Sequence, residues 1–246
     1  MAIKKPPLVV NDTRGFYVNR CVLQYISEAY NMLIEGVPAA MVENAATMAG
    51  MPVGPLALND EIALDLSLKI FNATVADLGE AAVDADQFAL VKKLVEQEGR
   101  HGRKNGKGFY EYPAKQGKKH LWPELITLYA QQDADSIDFS ELQQRFWLLQ
   151  ALEAAKTIEE GVVTDVREAD VGSILGYGFA PFTGGTISYI DGMGTTAFVA
   201  LCNKLAKKHG KRFRPTKLLK QMAASDEKFY DRFDPYAEPD GDQAAA

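Results

Sequence analysis

Apolar positions recur at three- and four-residue spacing along most of this chain, a pattern that predicts helices throughout. Val18, Cys21, Val22, Tyr25, Ile26, Ala29 and Leu33 form one stripe. Asp12 or Thr13 is placed to cap its start, and Gly36 to end it in the left-handed conformation. Pro38 suits the first turn of a second helix that stops before Gly50. Further helices are predicted over 56–78 and 84–98, the latter closed by Gly99. Later, Ser140-x-x-Gln143 reads as a capping box ahead of Leu142, Phe146, Leu149 and Leu152, and Gly161 ends that helix. Two more fit 195–209 and 215–224. Strand signals are scarce: only Gly108 to Pro113 alternates, and weakly. Segment 99–119, rich in Gly and Lys, is expected to be a long surface loop. Segment 234–246, acidic and then alanine-rich, is expected to be a disordered tail.

The helical pattern repeats itself. Residues 20–37 recur at 145–162 without a gap, sharing Arg20/Arg145, Leu23/Leu148, Glu28/Glu153, Ala29/Ala154, Glu35/Glu160, Gly36/Gly161 and Val37/Val162. Seven identities in eighteen positions stand against roughly one by chance, the signature of an internal duplication. Gly50 to Pro55 is answered by Gly176 to Pro181, and Leu58-Asn-Asp60 by Tyr189-Ile-Asp191. Features common to both copies are read as fold-keeping, and features kept in only one as candidates for chemistry.

Composition narrows the field. With 47% apolar and 24% charged residues, the 246-residue chain has an ordinary globular balance, long enough for one large domain or two small ones. A net charge of -6 argues against nucleic acid as the main partner. Both cysteines, Cys21 and Cys202, sit in apolar helical patterns, which predicts buried thiols in a reducing compartment. With no signal-peptide-like start and no apolar run long enough for a membrane span, a cytoplasmic location is expected.

Few residues carry obvious chemistry. His101 and His120 lie among cations without an orienting carboxylate nearby in sequence, and His209 reads as a helix C-terminal cation before Gly210. No Cys or His cluster has metal-ligand spacing. Gly192-Met-Gly-Thr-Thr-Ala197 satisfies G-x-G-x-x-A. A dinucleotide site would also want an acidic residue about twenty positions on, where the sequence reads Arg212 to Lys217, so the Rossmann reading is rejected. Asn19 stands out. Its plainest role is a side-chain to backbone hydrogen bond, yet the second copy carries Gln144 in its place. Two basic stretches, 100–107 and 204–220, read first as solvated surface. The sharper reading is a rim for a phosphate-bearing acyl carrier, with Arg103 and Lys104 as its substrate-binding residues.

These motifs carry a resemblance. Val10-Asn-Asp-Thr-Arg-Gly-Phe-Tyr-Val-Asn-Arg20 resembles the start of the helical C-terminal region of 3-hydroxyacyl-CoA dehydrogenases. Gly50 to Pro55 and Gly106 to Tyr112 resemble two further signatures of that region, and Gly184 to Asp191 resembles the extra repeat of multifunctional fatty-acid oxidation proteins. The resemblance implies an all-α fold of two tandem helical domains, 6-phosphogluconate dehydrogenase C-terminal-like, packed as a pseudo-dimer. Their boundaries are expected at 1–125 and 138–233, with the tail at 234–246. It further implies the C-terminal part of an NAD-dependent L-3-hydroxyacyl-CoA dehydrogenase of fatty-acid β-oxidation. Asn19 would then be the catalytic-cleft amide, acyl-CoA the substrate, and NAD the cofactor of a Rossmann domain that also supplies the reactive histidine. No cofactor is assigned to this chain, which is expected to be inactive alone, with a homodimer left open. The alternative is a stand-alone acyl-CoA-binding or assembly module without catalysis.

Overall fold

A computed structural model describes residues 7–114 and 117–233. The chain is built from helices α1 (Val18–Ile34), α2 (Ala39–Met48), α3 (Pro55–Ile62), α4 (Leu64–Leu78) and α5 (Ala85–Lys92). A short antiparallel pair follows, β1 (Tyr110–Glu111) with β2 (His120–Leu121), and then α6 (Leu125–Leu128). The second half holds α7 (Phe139–Glu159), α8 (Val166–Tyr177), α9 (Thr186–Met193), α10 (Thr195–His209), α11 (Lys217–Ser225) and α12 (Phe229–Arg232). The fold is all-α, as the periodicity predicts. Among the described residues no helix is long and apolar enough to cross a membrane. The acidic tail at 234–246 lies outside the described residues.

Several helix ends differ from expectation. The stretch 56–78 is two helices, because Ala63 adopts φ 101° between α3 and α4. A left-handed alanine carries no Gly or Pro signal, so the sequence conceals the corner. Neither Asp12 nor Thr13 caps α1. Instead Gly15 (φ 82°) and Phe16 (φ 50°) turn the chain into it, with the Phe16 amide donating to the Thr13 carbonyl. The cap of α7 is Asp138, which accepts from the backbone amides of Ser140 and Glu141, rather than Ser140 itself. Segment 84–98 continues α5 as one π-helical turn, 93–97. Gly36 (φ 88°) and Gly161 (φ 69°) are left-handed, as the stop signals require.

The residues group into two compact units, one of Met1–Val22 with Trp147–Ala246, the other Leu23–Phe146. The division falls inside the two long helices, so each unit holds residues from both sequence copies. In the first unit Arg20 bonds Glu153 and Glu160. In the second, Arg145 bonds Glu28 and Glu35. These are the same two pairings with the copies exchanged, which accounts for the shared letters Arg, Glu and Glu. A second reciprocal pair seals the helix ends. Asn11 donates its side-chain amide to Gly161 O and its backbone N–H to Val162 O, while Gln132 does the same for Glu35 O and Gly36 O.

Inside each unit, buried carboxylates take the place of side-chain caps. Glu43 accepts from the Leu56 amide at the start of α3, and Asp170 accepts from the Ile187 and Ser188 amides at the start of α9. A Cβ on Gly54 or Gly185 would sit 2.3 or 2.4 Å from these carboxylates, which is why both positions are glycine. Asp60 accepts from the Phe109 and Tyr110 amides, and Asp191 from the Phe229 and Tyr230 amides. The tyrosines close the circuit, Tyr110 Oη donating to Glu43 and Tyr230 Oη to Asp170. Segment 99–119 therefore has a buried anchor and is only partly surface loop. Arg100 is 4% exposed, bonds Gly108 O and Glu111, and stacks over Trp122.

Candidate functional site

Asn19 occupies the first turn of α1, and its side chain is exposed. Its neighbour Tyr17 is 1% exposed. The Tyr17 hydroxyl donates to Ala169 O at 2.8 Å and lies 3.1 Å from Thr186 Oγ1. The anchored ring and the left-handed Gly15-Phe16 pair fix the phase of α1 and turn Asn19 outward. A bulky residue at φ 50° costs of order 1–3 kcal/mol and persists only where its surroundings hold it. Phe16 is nonetheless half exposed, so burial of its ring does not explain the strain.

Asn19 borders an open concavity of about 530 Å³ lined by Leu8, Val9, Val10, Phe16 and Val18. The expected side-chain to backbone bond does not form, and the amide has no hydrogen-bond partner among the described residues. Chemically the site is an apolar wall with one group able to donate and accept a hydrogen bond.

Arg103 and Lys104 lie in a short 3-10 turn, 103–105, of the other unit. Each meets a carboxylate there: Arg103 bonds Glu61 at 2.6 Å, and Lys104 bonds Asp65. The Lys104 ammonium, bonded directly to it, holds the Asp65 carboxyl below its ordinary range. The two cations thus present donors without a net positive field. They share no unit with Asn19.

The histidines keep structural surroundings. His209 ends α10 with its ring against Phe213, and His120 is an exposed β2 residue. Burial pushes both thiols up, Cys202 to about 12, so neither is a ready nucleophile. Gly192 to Ala197 forms the corner between α9 and α10. A helix precedes these glycines where a dinucleotide loop needs a strand, so the motif makes no nucleotide cradle. Among the described residues no group of acidic, His or Cys side chains is arranged to hold a metal.

Sequence reasoning missed the buried carboxylates. Burial raises Asp60 to about 6, and raises Glu43, Asp170 and Asp191, against the hydrogen bonds they accept. Their oxygens are engaged by fold donors, which assigns them to holding helix starts and hairpins. The aligned pair Asp60/Asp191 was the available signal.

The described residues thus present an isolated amide on an apolar wall of an all-α scaffold. Residues 15–112 match the family model "3-hydroxyacyl-CoA dehydrogenase, C-terminal domain". Two solved structures share the fold. 3-Hydroxybutyryl-CoA dehydrogenase from Escherichia coli K12 has a TM-score of 0.67 at 22% identity, over 90% of this chain and 62% of its own. The dehydrogenase part of multifunctional enzyme 1 from C. elegans has a TM-score of 0.63 at 20% identity, over 89% of this chain and 50% of its own. The chain therefore spans between half and two thirds of the length of either.

Proposed function

We propose that this chain is the C-terminal part of an NAD-dependent L-3-hydroxyacyl-CoA dehydrogenase of fatty-acid β-oxidation, and that it lends one wall of the acyl-CoA cleft. The observation that carries this reading is Asn19, an exposed amide held on a strained turn beside an apolar concavity, within the segment that matches the dehydrogenase domain. Oxidation at C3 turns a hydroxyl into a carbonyl: negative charge builds on that oxygen as its proton is withdrawn, and it passes into the C=O bond as the hydride leaves with the C–H electrons. An amide can accept from the substrate hydroxyl and then donate to the oxygen as its proton leaves. In this reading proton abstraction and hydride acceptance fall to a separate NAD-binding domain; Gly192 and Gly194 sit at a helix corner. Arg103 and Lys104 are proposed, within their own unit, as donors to the carrier's phosphates, with phosphate oxygens replacing Glu61 and Asp65. The exchanged pairings of Arg20 and Arg145 support two tandem domains, 1–125 and 138–233, that act as a pseudo-dimer, the pattern of an isologous contact.

In a complete enzyme containing this chain, Asn19→Ala is expected to lower kcat about 100-fold while KM changes little, the loss typical of one oxyanion donor. Steady-state reduction of acetoacetyl-CoA with NADH measures it. An unchanged kcat would exclude Asn19 from the reaction and leave the chain an assembly module.

A further inference from the structure

The two copies differ in one space beside their first long helix. Helices α4 and α10 are counterparts: each has fifteen residues and follows a left-handed residue, Ala63 or Gly194. Each also ends at a left-handed glycine, Gly79 or Gly210, and runs into a short 3-10 turn. With α1 aligned to α7, Ser27, Ser67 and Thr74 correspond to Leu152, Phe198 and Leu205. From their matching N-caps, Asp84 and Thr216, Gln87 of α5 corresponds to Leu219 of α11. In the second copy those four apolar side chains are buried in one core cluster. In the first copy the same place is a crevice of about 220 Å³, lined by Leu23, Ile26, Ser27, Ile70, Phe71 and Thr74, with Ser67 and Gln87 among the remaining walls.

The exchange is not a simple loss of bulk. Tyr30 and Phe71 replace the smaller Ala155 and Cys202, but both aromatic rings are held in place as walls. Phe71 stacks on Phe88 with centroids 5.4 Å apart. The Tyr30 hydroxyl donates to Asn59 Oδ1 at 2.6 Å while its ring packs on Phe109. Neither is placed to fill the gap that Phe198 and Leu205 fill in the other copy. Ser27, half-buried on α1, makes no hydrogen bond among the described residues.

We propose that this crevice is a binding site for a small, largely apolar ligand: a single ring carrying one hydroxyl. The plug in the second copy, an aromatic ring with branched aliphatic groups, shows what chemistry the framework accepts there. The volume sets the scale. A cavity of about 150 Å³ suffices for benzene, whereas whole cofactors need several hundred. Leu23, Ile26, Ile70 and Phe71 supply the apolar walls, and the Ser27 hydroxyl pairs with the ligand's hydroxyl. The proposal is independent of the dehydrogenase reading, because none of these residues is placed in the acyl-CoA cleft.

Titration of the 15N-labelled 246-residue chain with p-cresol tests it. Saturable shifts are expected at the amides of Ser27, Ser67, Thr74 and Gln87. The variant Ser27→Leu/Thr74→Leu, which brings in the residues of the second copy while leaving the Asn59–Ser67 bond intact, is expected to bind about 10-fold more weakly or worse. Ser27→Ala is expected to weaken p-cresol and leave toluene unchanged, which keeps the test decisive if the double variant fails to fold. Non-saturating shifts, saturation at other amides, or equal affinity in a folded Leu variant would overturn the proposal.

Discussion

Arg145→Leu is expected to destabilise the unit Leu23–Phe146 by about 3–5 kcal/mol, the cost of removing one partner from a buried ion pair. The Arg145 side chain is 2% exposed and that of Glu28 is fully buried. Burial disfavours the Arg145 charge, and the carboxylates of Glu28 and Glu35 more than offset it. Its two bonds to Glu35, at 2.7 and 3.0 Å, use both oxygens of that carboxylate. Taking the guanidinium away leaves the buried Glu28 carboxylate without this cation, while the neutral Asn31 amide at 3.0 Å still donates to it. The exchanged site should respond less. Arg20 and Glu153 are 12% and 13% exposed and Glu160 41%, so solvent takes over part of the charge and Arg20→Leu should cost about 2 kcal/mol. Urea unfolding followed by Trp122 fluorescence in a Trp147→Phe background reads the unit that holds Arg145, and Trp147 fluorescence in a Trp122→Phe background reads the unit that holds Arg20. A loss under about 1 kcal/mol for Arg145→Leu, or an equal loss for Arg20→Leu, contradicts the account.

Asp60→Asn is expected to destabilise the protein most near pH 4 and progressively less toward pH 7. Burial raises the folded pKa of Asp60 to about 6 from an ordinary 3.8, so the folded chain holds this proton more tightly than the unfolded one. Stability from this group is therefore present below pH 4, declines as pH rises to about 6, and is level above. The span corresponds to about 3 kcal/mol. Asparagine abolishes that slope and introduces a cost that does not depend on pH. The Phe109 and Tyr110 amides use different oxygens of Asp60, so one loses its acceptor, at about 1–3 kcal/mol. Glu43, Asp170 and Asp191 shift in the same direction but are common to both proteins and cancel in the difference. Chemical denaturation of both proteins at pH 4.5, 5.5 and 7 measures the gap. A gap that stays constant or widens with pH is incompatible with a carboxyl desolvated by burial.

Much of this architecture is legible in the chain because helices half-buried on one face impose their period on the sequence. Gly36, Gly161 and Gly210 announce their ends through a backbone conformation that side chains disfavour. The corner at Ala63 is hidden, since apolar spacing runs straight through it and alanine gives no sign of a left-handed turn. The Arg and Glu letters of the repeat are visible, but their exchange between copies is a long-range pairing that one-dimensional periodicity does not encode. The same holds for Asp60, whose donors lie about fifty residues away, and for Arg100, which converts part of a Gly- and Lys-rich segment into core. Asn19 stands out in the sequence by its difference from Gln144. Its exposure and the strained Phe16 beside it required coordinates.

The central claim is that this chain lends a wall and an amide to chemistry whose reactive groups lie on another domain. The most direct test is NADH oxidation with acetoacetyl-CoA by the purified 246-residue chain, followed at 340 nm. The account predicts no turnover above the buffer rate at any substrate concentration. Saturable turnover that scales with protein would contradict it.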